Sequence, residues 1–224
     1  MSGLRESDRW HVLTGDAIAE HEVRAATGVT PLAARVMVAR GIRTAADAHD
    51  FLTPSLERDW IDPTELPGLV QAADRVERAV RDHEAIAVFG DFDVDGMSST
   101  CLLTLALRRL GADVHPFIPN RFGEGYGLSR EALARVRQTC EPDLVITVDN
   151  GIAAREEVAW LVSEGVDVVV TDHHEPADLV PEGVPVTDPK LSADCPSREL
   201  AGAGVALKLV CELGRRLGQP DLWL

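Results

Sequence analysis

Residues 85–99 read AIAVFGDFDVDGMSS. The apolar run Ala85 to Phe89 is too short for a helix and reads as a buried strand. It breaks at Gly90 into three aspartates at alternate positions, Asp91, Asp93 and Asp95, with Gly96 directly behind them. Extended chain puts residues i, i+2 and i+4 on one face, so the three carboxylates are expected to converge. Converging acids need a cation or raised pKa values. A helix is expected from about Ser98, with Gly96 and Ser98 leading into an N-terminus that can face phosphate.

A calcium loop is the first candidate for such a pattern. Asp91, Asp93, Asp95 and Gly96 match the first half of an EF-hand loop, but its twelfth position must carry a bidentate acid and here holds Leu102. An EF-hand also needs an entering helix, whereas this stretch follows a strand. A lone Asp-Gly turn would read as a helix cap. Three acids at period two point instead to a metal site.

The same strand-to-acid pattern recurs downstream. LVITV (144–148) runs into Asp149, Asn150 and Gly151, and VDVVVT (166–171) runs into Asp172, His173 and His174. Helical patterns separate these runs: LVQAADRVERAV (69–80), SSTCLLTLALRRLG (98–111), SREALARVRQT (129–139), AAREEVAWLVSEG (153–165) and ELAGAGVALKLVCELGRRLG (199–218). VHPFIP (114–119) reads as an edge strand because of Pro116, and GVPVTDP (183–189) as a last short one. Apolar strands alternating with helices give an α/β fold, a mostly parallel sheet covered by helices. In such sheets ligands bind beyond the carboxyl ends of the strands. Three strand ends therefore deliver Asp91, Asp93, Asp95, Asp149, His173 and His174 to one edge.

Residues 1–66 read as an irregular helical extension, with helices at Thr30–Gly41 and Thr44–Leu52 and a connector marked by prolines 54, 63 and 67. The main domain is expected over 67–224.

Carboxylates mixed with imidazoles suit Mn²⁺ or Mg²⁺ better than structural zinc. Two such ions about 4 Å apart, sharing a carboxylate, make a phosphoester hydrolysis centre. Asp149, alone on the middle strand end, is the candidate for the shared ligand. Adjacent side chains of extended backbone point to opposite sides, so one histidine is expected on the metal and the other on a substrate phosphate. PNRFGEGYGLS (119–129) is a glycine-rich loop whose Arg121 can clamp phosphate and whose Tyr126 can stack on a base.

The chain has 224 residues, 22 basic and 37 acidic, for a formal charge of −15. That is the wrong sign for a broad nucleic-acid-binding face, although bound cations invert a local field. Only Lys190 and Lys208 are lysines. The four cysteines form no CxxC pair, which argues against a zinc site and fits reduced thiols. No apolar run approaches the ~18 residues that span a bilayer, and no secretory signal is visible; a cytoplasmic location is the expectation.

VFGDFDVDGMSS, VITVDNG and VVTDHHEP together resemble the motifs of the DHH phosphoesterases. FIPNRFGEGYGLS and PSRELAGAGVALKL narrow the resemblance to the single-strand-specific exonucleases similar to RecJ. It implies a 5′→3′ exonuclease on single-stranded DNA, dependent on Mn²⁺ or Mg²⁺, serving recombination and repair beside single-strand-binding protein and repair helicases. It also implies that Asp91, Asp93, Asp95, Asp149 and His173 bind metal, that Asp149 and His174 are catalytic, and that Arg121 and His174 meet the phosphate, beside Ser98 at the helix N-terminus read above. The family continues into a strand with a further metal-binding aspartate, a second domain and an OB-fold. A chain without them is expected to be weakly active or inactive. Two alternatives stand beside this reading. One is a DHH phosphodiesterase for short oligonucleotides or cyclic dinucleotides. The other is a non-catalytic scaffold like the DHH relative in the eukaryotic replicative helicase, which the filled ligand positions disfavour.

Overall fold

The computed structural model describes residues 14–120, 127–176 and 178–223. They form two compact units, divided between Trp60 and Ile61. That division falls before the boundary at residue 66 read from the prolines. The reason is Leu66, which is buried in the core of the second unit with Leu69.

The first unit holds four short helices, α1 (Ala17–Thr27), α2 (Pro31–Ala39), α3 (Ala45–Leu52) and α4 (Leu56–Asp59). Asp16, Thr30, Thr44 and Ser55 each accept a backbone N–H from the first turn of the helix they precede. Val23, Ala34, Met37, Val38 and Ala48 make its small core.

The second unit is an α/β layer structure. Its strands are β1 (Ala85–Phe89), β2 (Asp113–Phe117), β3 (Leu144–Val148), β4 (Asp167–Thr171) and β5 (Val186–Thr187). They form one sheet in the order β2-β1-β3-β4-β5, with every pair parallel. The helices are α5 (Leu69–Asp82), α6 (Val94–Arg109), α7 (Arg130–Cys140), α8 (Arg155–Ser163) and α9 (Gly202–Arg216). Alternation along the strands divides the core. Ile86, Val88, Leu144, Ile146 and Val148 pack with α5, α6 and α9, whereas Ala87, Phe89, Val145, Val168 and Val170 pack with α7 and α8. Burying both faces explains why the strands read as continuous apolar runs. Pro116 sits on β2, an outer strand as expected.

The order reverses direction at β1. From β1 the chain steps outward to β2, then returns to place β3 on the other side of β1. The crevice at such a reversal, outside the carboxyl ends of β1 and β3, is where open parallel sheets bind ligands. No helix among the described residues is long and apolar enough to cross a membrane.

Candidate metal centre

The helix after β1 starts at Val94, not near Ser98, because Asp93 is its N-cap. Asp93 Oδ1 accepts the Gly96 N–H at 2.9 Å. Asp91 and Asp93 therefore precede α6 and Asp95 lies in its first turn, so the period-two argument for one extended face does not hold. A Cβ on Gly96 would fall 2.5 Å from the Asp91 carbonyl oxygen, so the turn closes only over glycine. Ser98 is exposed on the same helix.

Asp95 reaches across to α9. Its Oδ2 accepts the Gly202 N–H at 2.8 Å and its Oδ1 the Ala203 N–H at 2.7 Å. α9 has Ala201 at its N-cap and no side-chain cap of its own, so Asp95 satisfies donors that would otherwise be orphaned. This is the physical role of the small residues that open α9. A Cβ on Gly202 would stand 2.6 Å from Asp149 Oδ1.

Asp149 follows β3 in the left-handed region, φ 60°, a conformation that aspartate tolerates better than most residues. Its N–H donates to the Thr171 carbonyl at 3.0 Å, and Thr147 Oγ1 donates to the Asn150 carbonyl at 2.8 Å, which fixes the turn. The side chain is 2% exposed. Oδ1 has His173 Nε2 2.9 Å away yet accepts no hydrogen bond. Burial, then the charges of Asp95 and Asp93, push the Asp149 carboxyl up to about 7.

His173 Nε2 also lies 3.4 Å from Asp95 Oδ2, so this ring bridges the acids from β1 and β3. The expectation that the two histidines point to opposite sides fails. The chain has left the strand at Thr171, and the rings stand 4.5 Å apart, tilted by 51°. One ligand atom from each of Asp149, His173 and His174 lies within 4.8 Å of the others. Asp91, Asp93 and Asp95 stand outside that tight group, Asp95 meeting it through His173 Nε2.

Asp172 organises the pair. Its Oδ1 accepts the backbone N–H of His173 at 2.7 Å and of His174 at 3.2 Å, and meets His174 Nδ1 at 2.7 Å. Its Oδ2 accepts the Ile152 N–H at 2.9 Å. Burial opposes the charged imidazole of His174, but this carboxylate outweighs it and raises the His174 pKa above the ordinary value.

The donors fit a divalent cation. They are carboxylate oxygens and imidazole nitrogen, with no thiolate, and they include the buried Asp149 Oδ1 that takes no hydrogen bond. Like charges crowd this edge, as the raised Asp149 carboxyl shows, and a bound cation relieves that repulsion.

Asp188 and Gly202 belong to this edge without having been singled out in the sequence, and Asp172, read there only as the residue into which the strand runs, anchors the histidine pair. Asp172 and Asp188 end β4 and β5, and Asp188 is wholly buried with Oδ2 unpartnered. The strand-then-acid rule that found Asp149 also fits VTDP at 186–189. Gly202 carried only the signal of a helix opening on small residues. Arg121 and Tyr126 lie outside the described residues.

The pattern of the DHH family, N-terminal domain, matches residues 85–222. The single-stranded-DNA-specific exonuclease RecJ of Bacillus subtilis is 39% identical over 220 residues, covering 97% of this chain and 27% of that protein. RecJ of Thermus thermophilus is 42% identical over 219 residues, covering 97% and 31%. The chain thus spans about a third or less of the length of these curated relatives. A crystal structure of exonuclease RecJ bound to manganese is similar at TM-score 0.64 and 43% identity, over 70% of this chain and 42% of that one. One of Thermus thermophilus RecJ in complex with Mn²⁺ is similar at TM-score 0.67 and 37% identity, over 96% and 31%.

Proposed function

The chain belongs to the DHH family, and from that premise we propose that it carries the metal-binding core of a 5′→3′ exonuclease acting on single-stranded DNA in recombination and repair. The observation that carries the reading is Asp149. Its Oδ1 is buried and accepts no hydrogen bond, within reach of His173, at the crevice where the sheet order reverses. Similarity to proteins named single-stranded-DNA-specific exonucleases supports the substrate class.

Asp149, His173 and Asp95 would hold Mn²⁺ or Mg²⁺, with Asp91 and Asp93 beside them and Asp149 shared between two ions. Bound there, divalent cations supply Lewis-acid stabilisation of the charge that builds on a phosphodiester. Asp95 is locked by the first N–H groups of α9, so its carboxylate faces the crevice without searching rotamers. Asp172 holds His174 by Nδ1 in a ring that is half exposed, which supports a phosphate-facing role for the opposite nitrogen. The raised pKa of His174 keeps more of the imidazolium near neutral pH, the form that donates a hydrogen bond to a phosphate oxygen. Ser98, exposed in the early turns of α6, and Arg121 are the further phosphate contacts in this reading. It carries with it a cytoplasmic setting beside single-strand-binding protein and repair helicases.

The test is Mn²⁺ binding to this chain by calorimetry, together with release of nucleotides from a 5′-phosphorylated single strand by a protein that joins this chain to the family's second domain. Asp149→Ala should abolish both while circular dichroism stays native. Unchanged Mn²⁺ affinity in that variant sinks the site assignment. Preference for a dinucleotide over a long single strand would redirect the reading to a small-substrate phosphodiesterase.

A further inference from the structure

Two basic side chains stand on the same edge as the candidate metal centre and have no part in it. The chain leaves β4 through His173, His174 and Glu175, and leaves the neighbouring β5 through Asp188 and Lys190. Lys190 Nζ lies 3.6 Å from Glu175 Oε1, and Arg198 Nη2 lies 3.5 Å from Glu175 Oε2. These are long contacts. Arg137–Glu164 and Arg75–Glu84 close to 2.6 Å.

The two sides of this cluster differ in how firmly they are held. The side chains of Lys190 and Arg198 are 18% and 35% exposed, whereas that of Glu175 is 70% exposed. Lys190 is tied at its backbone, its N–H donating to Asp188 Oδ1 at 2.7 Å. Arg198 donates from Nη1 to the carbonyls of Lys190 and Ser192, both at 3.3 Å. The Arg198 guanidinium is thus held by loop carbonyls and Lys190 is anchored at its backbone, while the anion rests on them from solvent. Lys190 is also close enough for its charge to act on His174.

The sequence adds weight to this placement. In a chain of net charge −15 with only two lysines, Lys208 is buried and donates to the Ile61 carbonyl, and Lys190 stands at the site. An exposed ion pair contributes about 0–1 kcal/mol to stability, so stability gives little reason to place the second lysine here. We propose that Lys190 and Arg198 form a phosphate seat for the single strand beside His174, and that Glu175 occupies it as an internal anion until a backbone phosphate displaces it. The proposal rests on the reading of the site given above. A phosphate offers three or more acceptor directions to the two cations where a carboxylate held at 3.5 Å and 3.6 Å uses few. Displacement therefore trades a loose pair for a tight one.

The seat and a merely structural ion pair predict opposite signs at Glu175. The experiment measures binding of a short 5′-phosphorylated oligothymidylate with phosphorothioate linkages to the Mn²⁺-loaded chain, by fluorescence anisotropy over a range of salt. Glu175→Gln should tighten binding several-fold, because the competing charge is gone. Lys190→Ala should weaken it about tenfold and shallow the slope of log affinity against log salt by about 0.7, the value of one single-strand phosphate contact. Lys190→Arg should restore most of the loss, and Mn²⁺ affinity by calorimetry should be unchanged in all three. A second readout is independent of substitution: reductive methylation of Lys190 in the parent chain should slow when the oligonucleotide is added. Weaker binding in Glu175→Gln, a parental salt slope in Lys190→Ala, or unprotected Lys190 overturns the seat while leaving the metal centre standing. A parent chain that binds neither Mn²⁺ nor the oligonucleotide overturns the reading of the site and the seat with it.

Discussion

Gly202 packs so closely on Asp149 that a Cβ at that position would lie 2.6 Å from Oδ1 and 2.8 Å from the Asp149 Cβ. The same residue donates its N–H to Asp95 at 2.8 Å. One glycine at the start of α9 thus spaces the acids of β1 and β3. Gly202→Ala should cut Mn²⁺ affinity at least tenfold by displacing Asp149 or Asp95. Alanine is otherwise the better helix residue by about 1 kcal/mol, so thermal stability of the metal-free chain should change little. Calorimetry and thermal denaturation measured together decide it. Parental Mn²⁺ affinity would mean that the contact is relieved without moving either acid.

In the proposed site, Asp149 should set the pH dependence of metal binding. Its carboxyl is pushed up to about 7 by burial and by Asp95 and Asp93, and a ligand must be deprotonated to bind. Mn²⁺ affinity should therefore rise with pH up to about 7, close to tenfold per unit for one displaced proton, and flatten above. Calorimetry in two buffers of different ionisation enthalpy should show about one proton released per site below that point. Proton release of zero at pH 6 would contradict the prediction.

The sequence and the structure agree where periodicity is strong. AIAVF and LVITV became β1 and β3 residue for residue, because burial on both faces leaves no other reading of a short apolar run. The placement of Asp91 after β1 and of Asp149 after β3 was legible for the same reason, since each follows a strand. The start of α6 was not legible, because Val94 is 75% exposed and gives no apolar periodicity; the signal that mattered was Asp93 bonding to the Gly96 N–H. The histidine pair was misread because the alternation rule ends with the strand at Thr171. GVPVTDP reads as a short strand, but β5 holds only two residues, too little to mark Asp188 as a strand-end acid of the site.

Asp188 gives a stability prediction separate from the metal. Burial pushes its carboxyl up to about 6, with Asp172 adding to the shift and the Lys190 N–H opposing it. The folded state thus binds a proton that the unfolded state releases near its ordinary value of 3.8. The stability tied to Asp188 is fully present below about pH 4 and is lost as pH rises through about 6. Asp188→Asn keeps an acceptor for Lys190 and removes the buried charge. It should stabilise the metal-free chain at pH 7 by on the order of 1–3 kcal/mol and change little at pH 4. Urea denaturation at both pH values reads this directly, and equal destabilisation at both would refute it.

Asp172 and His174 give the last prediction, in which orientation and charge are separable. Asp172 Oδ1 meets His174 Nδ1 at 2.7 Å while the same oxygen anchors both histidine N–H groups. Asp172→Asn retains the size of the side chain and removes the charge that raises the His174 pKa. The ring titration of His174, followed by NMR in the metal-free chain, should move down toward the ordinary histidine value, and hydrolysis should fall about 10–100-fold as expected for loss of an orienting carboxylate. Asp172→Glu keeps the charge but moves it by a methylene, so it should hold the pKa up while failing to restore the rate. A variant pair in which rate follows the pKa alone would show that Asp172 acts on His174 through charge and not through position.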